Sequence, residues 1–188
     1  MKKRLTLALA LVLTAGTALA GPIPTGWFRA GTAPADYELG TDKGDTAGTW
    51  NAYIKAKSSA AGGFATMMQT INASNYRGKR VRLSGVLRTQ DANKSQLWMR
   101  IDGNDKHPVG FDNMDQRPLR DTTGWTHCEI VLDVPAEAVD IAYGFLLDGK
   151  GSVFARDFRL EVVGNEVPVT GNIHPVLPLA PVNMGFGP

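Results

Sequence analysis

An all-β protein built as an antiparallel β-sandwich is what this sequence predicts, on three observations. Short stretches alternate apolar and polar residues with a period of two, most clearly Ser95 to Gly103, where Leu97, Met99 and Ile101 share one face and Trp98, Arg100 and Asp102 the other. Turns rich in Gly, Pro, Asn and Asp separate roughly ten such stretches. No run of ten or more residues shows the amphipathic period and capping signals of a helix. A strand apolar on one side and carrying Trp, Arg and Asp on the other fits a sheet with one face on a core and one open to water or ligand.

In chain order, Gly21 to Gly26 reads as an irregular leader and Trp27 to Ala30 as the first strand, broken by Gly31 to Asp36. Tyr37 to Leu39 is a short strand before a polar loop from Thr41 to Thr49. Alternation resumes from Trp50 to Lys57 and stops at the turn Ser58 to Gly63. Periodicity leaves Phe64 to Ile71 between strand and helix; its length and the preceding Gly62-Gly63 favour a buried strand. Arg80 to Arg88 is a strand, with Val81 and Leu83 alternating against Arg82 and Ser84 and Gly85 marking a bulge. An Asx-rich turn at Asp91 to Lys94 leads into the strand from Ser95, which reverses at Asp102 to Asp105 and pairs with Val109 to Asn113. Arg117 to Gly124 is loop, and Trp125 to Val134 a strand ended by Pro135, which cannot donate to a ladder. Val139 to Leu147 and Ser152 to Val163 close the domain as a hairpin around Asp148-Gly149-Lys150-Gly151.

Lys2, Lys3 and Arg4 ahead of the apolar run Leu5 to Leu13, with Ala18-Leu19-Ala20 behind it, form an export signal over residues 1–20, cleaved before Gly21. The apolar run is too short to span a bilayer of about 30 Å, and no later stretch in the mature chain approaches that length. The absence of a cysteine after it argues against lipid attachment. A periplasmic or secreted protein is therefore expected. The full chain carries 20 basic and 18 acidic residues, and removing the three signal cations leaves a formal −1. Such a near-neutral chain has no electrostatic footprint for nucleic acid. The domain is expected over residues 21–167, with an extended proline-rich tail over 168–188 holding Pro168, Pro175, Pro178, Pro181 and Pro188. One cysteine, Cys128, allows no internal disulfide; in phase with Ile130, Leu132 and Val134, it reads as a buried small hydrophobe.

Several motifs together carry a family resemblance: Gly26-Trp27-Phe28-Arg29-Ala30-Gly31, Gly63 to Gln69, Tyr76 to Gly85, Leu97-Trp98-Met99-Arg100, Phe111-Asp112-Asn113-Met114 and Val131-Leu132-Asp133-Val134-Pro135. Over about Gly26 to Val167 the chain resembles a bacterial β-sandwich domain found alone or appended to AraC-type transcription regulators; the resemblance implies the fold and brings no activity with it. More distantly, the ending Gly149-Lys150-Gly151-Ser152-Val153-Phe154-Ala155-Arg156-Asp157-Phe158-Arg159-Leu160 is similar to the galactose-binding-like jelly rolls of carbohydrate-binding modules. In those, adjacent acidic residues of the last strand often hold a structural calcium ion. Here that place reads Arg156-Asp157, a cation in place of one carboxylate, so no metal or other cofactor is expected.

A jelly roll that meets a sugar needs an aromatic face for the CH side of a pyranose and polar groups for its hydroxyls. The candidate ligand-binding residues are Trp98 for stacking and Arg100, Arg82, Asp112 and Gln69 for hydrogen bonds, each contact worth about 1–2 kcal/mol. The competing reading has Trp98 covering a second apolar layer and Arg100 pairing with Asp112. Enzyme signatures are missing: His107, His127 and His174 lack metal-site spacing, and Gly-x-Ser-x-Gly, phosphate loops and Cys-His arrangements are absent. Asp102, Asn104 and Asp105 begin like a calcium loop without its later glycine and glutamate. Glu129 and Asp133 share a strand face, the one formal carboxylate pair for a sandwich hydrolase. The expectation is a non-catalytic module that binds a glycan or small polar ligand, or alternatively an accessory module that docks an envelope protein.

Overall fold

The computed structural model describes residues 21–44, 46–105, 107–171 and 180–186; the expected export signal, His174 and part of the proline-rich tail lie outside them. Nine antiparallel strands make the described fold: β1 (Phe28–Gly31), β2 (Tyr37–Lys43), β3 (Trp50–Ala56), β4 (Phe64–Asn72), β5 (Lys79–Asp102), β6 (Pro108–Asp112), β7 (Leu119–Val134), β8 (Asp140–Asp148) and β9 (Ser152–Val163). A single 3-10 turn, Pro34–Asp36, sits between β1 and β2. The ambiguous run from Phe64 is strand.

β5 organises the rest. Two strands separated by an Asx turn were expected; the chain instead runs on as one strand of 24 residues. Its second half lies between β8 and β6 and, with β4 and β1 beyond β8, forms a front sheet. Its first half lies between β9 and β7 and, with β3 and β2 beyond β9, forms a back sheet. The corner falls where the turn was expected, with three register shifts against β7 between Leu87 and Ser95. Asp91 takes φ 49° there, a left-handed conformation that Asp tolerates. Its amide bonds to Thr122 Oγ1 at 3.1 Å, so side chains from β7 supply what a turn would have supplied internally. This is also why the expected loop from Arg117 is largely strand: β7 begins at Leu119 to pair with the corner. Gly85 does interrupt the ladder with β9, and the Phe158 ring lies over it, within 2.9 Å of where a Cβ would stand.

The segment 148–151 is an arch, not a hairpin. β8 pairs with β4 and β5, and β9 with β3 and β5, so the chain crosses from the front sheet to the back one. Gly149 and Gly151 at φ 75° and 93° allow the crossing. The fully buried Tyr37 ties it down, donating to the Gly63 carbonyl at 2.6 Å and accepting from the Gly149 amide at 2.9 Å.

Between the sheets lies the core expected from the period-two pattern. Val81, Leu83 and Leu87 from one half of β5 and Leu97, Met99 and Ile101 from the other are all fully buried, with Ile54, Met67, Ile130, Ile141, Phe145 and Leu147. Each such side chain stabilises by about 1.5–3 kcal/mol relative to exposure. Cys128 belongs to this core at 3% exposure, and burial pushes its thiol pKa up to about 11. The segment after β9 stays attached as far as Thr170, whose amide and hydroxyl bind the main chain of Val131 on β7.

Candidate binding cleft on the front sheet

The odd residues of β5's second half face the core, so Gln96, Trp98 and Arg100 face outward. Register carries this face across the sheet: Trp98 lies opposite Gly144 of β8, which lies opposite Met68 of β4, while Gln96 lies opposite Leu146 and then Thr66. Met68, Trp98, Ala142 and Leu146 form a second buried cluster outside the main core, flanked by Ala30 and Phe64. Its Met68, Trp98 and Leu146 floor a cleft of about 540 Å³ whose lining includes Phe64, Gln96, Arg100, Phe111, Asn113 and Asp148.

Trp98 is 8% exposed. Its indole Nε1 donates to Thr66 Oγ1 at 2.8 Å, and the Thr66 hydroxyl in turn donates to the Phe145 carbonyl at 2.8 Å. The indole N–H is thus spent inside the protein, and the ring supports the floor while offering little of its face. Gly144 beside it has no room for a side chain: a Cβ would strike the Met67 carbonyl and lie 2.9 Å from Met68 Cα. The aromatic surface open to a ligand belongs to Phe111, 38% exposed on β6, and to the half-buried Phe64.

Charges at the rim are mostly neutralised locally. Arg100 donates Nε and Nη2 to Asp102 Oδ2 at 3.0 and 2.8 Å, not to Asp112. Lys94 pairs with Asp115, and the hydrogen bond from its ammonium holds the Asp115 carboxyl below the usual range. Gln96 reaches the same carboxylate at 3.4 Å. Such a rim offers hydrogen-bond donors and acceptors with little net field.

The five residues expected to converge do not all meet. Trp98 and Arg100 share the cleft. Gln69 and Asp112 turn inward, because register puts Gln69, Tyr143, Met99 and Asp112 in one cross-strand row on the core side. Gln69 accepts from the Tyr143 hydroxyl at 2.7 Å. Asp112, 6% exposed, is held by Arg117 at 2.7 Å, by the Thr170 hydroxyl at 2.7 Å and by the Met114 amide at 2.7 Å. Arg82 stands on the other half of β5, on the back sheet, bound to Glu161 at 2.8 Å and near Glu129 at 3.8 Å. Asp133, the second carboxylate weighed for hydrolysis, is bound by Arg80 at 2.7 Å. Sequence reasoning missed Phe64 and Phe111. Phe64 was legible from its phase with Thr66 and Met68; Phe111 needed the register that sets it opposite Arg100.

Among the described residues, no group of three or more His, Cys, Asp or Glu is placed to hold a metal ion. Among them, too, no helix is long and apolar enough to cross a membrane.

No family model matches the chain. It is 39% identical over 165 residues to an uncharacterised HTH-type transcriptional regulator, YbfP, of Bacillus subtilis strain 168; the match takes in 86% of this chain and 56% of the regulator, so the chain spans little more than half of that relative. Among solved structures it is similar to the CBM22-1 xylan-binding domain of Paenibacillus barcinonensis Xyn10C, with TM-score 0.55 and 10% identity over 78% of this chain and 91% of that one. It is similar also to the CBM22-1 and GH10 modules of Clostridium thermocellum Xyn10B, with TM-score 0.54 and 16% identity over 81% and 29%. The enzymatically active domain of tailspike protein 4 of bacteriophage CBA120 gives TM-score 0.59 and 14% identity over 74% and 20%. At such identities the likeness speaks for the fold: this chain is an antiparallel β-sandwich of the kind that carbohydrate-binding modules use.

Proposed function

We propose that this protein is a non-catalytic carbohydrate-binding module, exported to the periplasm or beyond, that takes a glycan segment in the front cleft. The observation that carries the reading is the cleft itself: a floor of Met68, Trp98 and Leu146 with the buried Gln96 beside them, under a rim of Arg100, Asn113 and Asp148. A pyranose presents the same two chemistries, CH groups on its faces and hydroxyls around its edge. Phe111 stacks on a ring, and Arg100, already fixed by Asp102, donates to hydroxyls without first losing side-chain freedom. Structures of xylan-binding modules with this fold support the sugar class.

The test is calorimetric titration of the purified protein with xylohexaose and a panel of other neutral oligosaccharides. Saturable binding is expected, weakened roughly 2- to 13-fold by Phe111→Ala, the equivalent of about 0.5–1.5 kcal/mol of stacking. Arg100→Ala weakens it similarly, while Glu161→Gln on the back sheet leaves it unchanged. Silence across the panel, or full affinity in both cleft variants, refutes the proposal. The second reading, an accessory module that docks an envelope protein, gains if sugars fail.

A further inference from the structure

The outer face of the back sheet carries a second constellation, separated from the cleft by the whole sandwich. Tyr53 of β3 lies opposite Phe154 of β9, which lies opposite Arg88 of β5. Arg156 stands two residues along β9 from Phe154, on the same face, opposite Val86. These positions gather two guanidinium groups on one indole: Arg156 Cζ is 4.2 Å and Arg88 Cζ 5.1 Å from the centre of the Trp125 ring, and Arg88 lies also 4.5 Å from that of Phe154. Cations within about 6 Å of a ring centre are held by its quadrupole.

Two like charges on one ring repel, and the fold places little compensating charge beside them. Among the described residues, no carboxylate lies within ion-pair distance of Arg88, and Arg156 meets only the exposed Asp157, at 3.5 Å. The Nε atoms of both arginines are buried and make no hydrogen bond there. The contrast with Arg80 and Arg82, on the same face of the same strand, is direct, since each of those is bound by a carboxylate at 2.7–2.8 Å. A guanidinium stacked on an aromatic keeps its N–H donors in its own plane, pointing past the ring edge toward a carboxylate, sulfate or phosphate, while the stack limits the freedom lost on binding.

We infer that Arg88, Arg156 and Trp125 form a second binding site, an oxyanion clamp for the charged groups of an acidic polysaccharide. The N–H donors of the two guanidiniums take a uronate carboxylate or a sulfate ester, while the half-buried Trp125 ring holds both arginines in place. Nucleic acid fits less well, because the chain from Gly21 onward is near neutral and lacks the wide basic surface that a phosphate backbone needs.

The test titrates the purified protein, at low salt, with an oligogalacturonate, a heparin-derived oligosaccharide, neutral xylohexaose and a short single-stranded DNA, following tryptophan emission and heat. At least one acidic oligosaccharide is expected to bind saturably. Its affinity falls roughly tenfold or more in Arg88→Gln and Arg156→Gln, and it weakens steeply between about 0.05 and 0.5 M NaCl. Arg88→Lys keeps the charge and loses the fork, so it binds between wild type and Arg88→Gln and guards against a folding artefact. Binding of the oligogalacturonate alone assigns the carboxylate, and of the heparin fragment alone the sulfate. Xylohexaose responds to Phe111→Ala and not to these variants, so failure of the front cleft leaves the clamp standing and the reverse. No binding of either acidic sugar to folded protein, equal or tighter binding of the DNA, or undiminished affinity in the Arg88→Gln, Arg156→Gln double variant overturns the inference.

Discussion

Replacing Trp98 by alanine tests whether the indole is a floor beam or a ligand platform. The side chain is 8% exposed and packs on Met68, Ala142 and Leu146, so its removal opens a cavity beneath the cleft. Truncations of buried aromatics cost about 3–5 kcal/mol. In a chain of this size each kcal/mol lowers the melting temperature by about 2–4 °C, giving a fall of roughly 6–20 °C. Trp98→Phe keeps much of the volume and loses the bond to Thr66, for about 1–2 kcal/mol, and Thr66→Val strands the indole N–H, for about 1–3 kcal/mol. Because the two act through one bond, the double variant costs less than their sum, with a coupling of about 0.5–3 kcal/mol. Urea unfolding of wild type and the four variants, backed by calorimetry, measures all of this. A Trp98→Ala variant within about 1 kcal/mol of wild type, or simple additivity of the other two, refutes the account of Trp98 as structural floor. The same reasoning makes Trp98→Ala a poor probe of sugar binding and Phe111→Ala a good one.

Gly144→Ala drives a methyl group into the main chain of β4 beside the cleft, and urea unfolding is expected to show a loss of about 1–3 kcal/mol; a neutral result means that β4 shifts to admit it. Alkaline pH weakens the fold. Burial raises Cys128 from 9.0 to about 11, and burial with the Glu38 hydrogen bond raises Tyr53 from 10.0 to about 12. Above pH 9 the unfolded chain therefore binds fewer protons than the folded one, and the stability these groups contribute is complete below that pH and is lost as pH rises through 11 and 12. Stability measured from pH 8 to 12 should decline, and Cys128→Ala should remove the earliest part; a flat profile contradicts this. Native Cys128 should also resist thiol reagents at pH 8 and react promptly in urea, whereas fast labelling of the folded protein means that the thiol is not buried.

By itself the sequence determined which residues turn inward along the strands whose apolar alternation is clear. Side chains alternate with period two whatever a strand pairs with, so Leu97, Met99 and Ile101 were legible as core, Trp98 and Arg100 as the opposite face, and Cys128 as buried. Only the tertiary structure decided what stands beside what. The Asx-rich stretch at 91–94 became a corner inside β5 because β7 supplies its hydrogen bonds, and the Gly-rich stretch at 148–151 became an arch because β8 and β9 belong to different sheets. Both outcomes depend on partners far along the chain. Register likewise turned Asp112 and Gln69 inward and brought Phe111 beside Arg100, since a shift of one residue exchanges the faces of a strand. The arginine pair on Trp125 shows the same limit: Arg88, Trp125 and Arg156 come from three strands, and no local pattern records that their side chains meet.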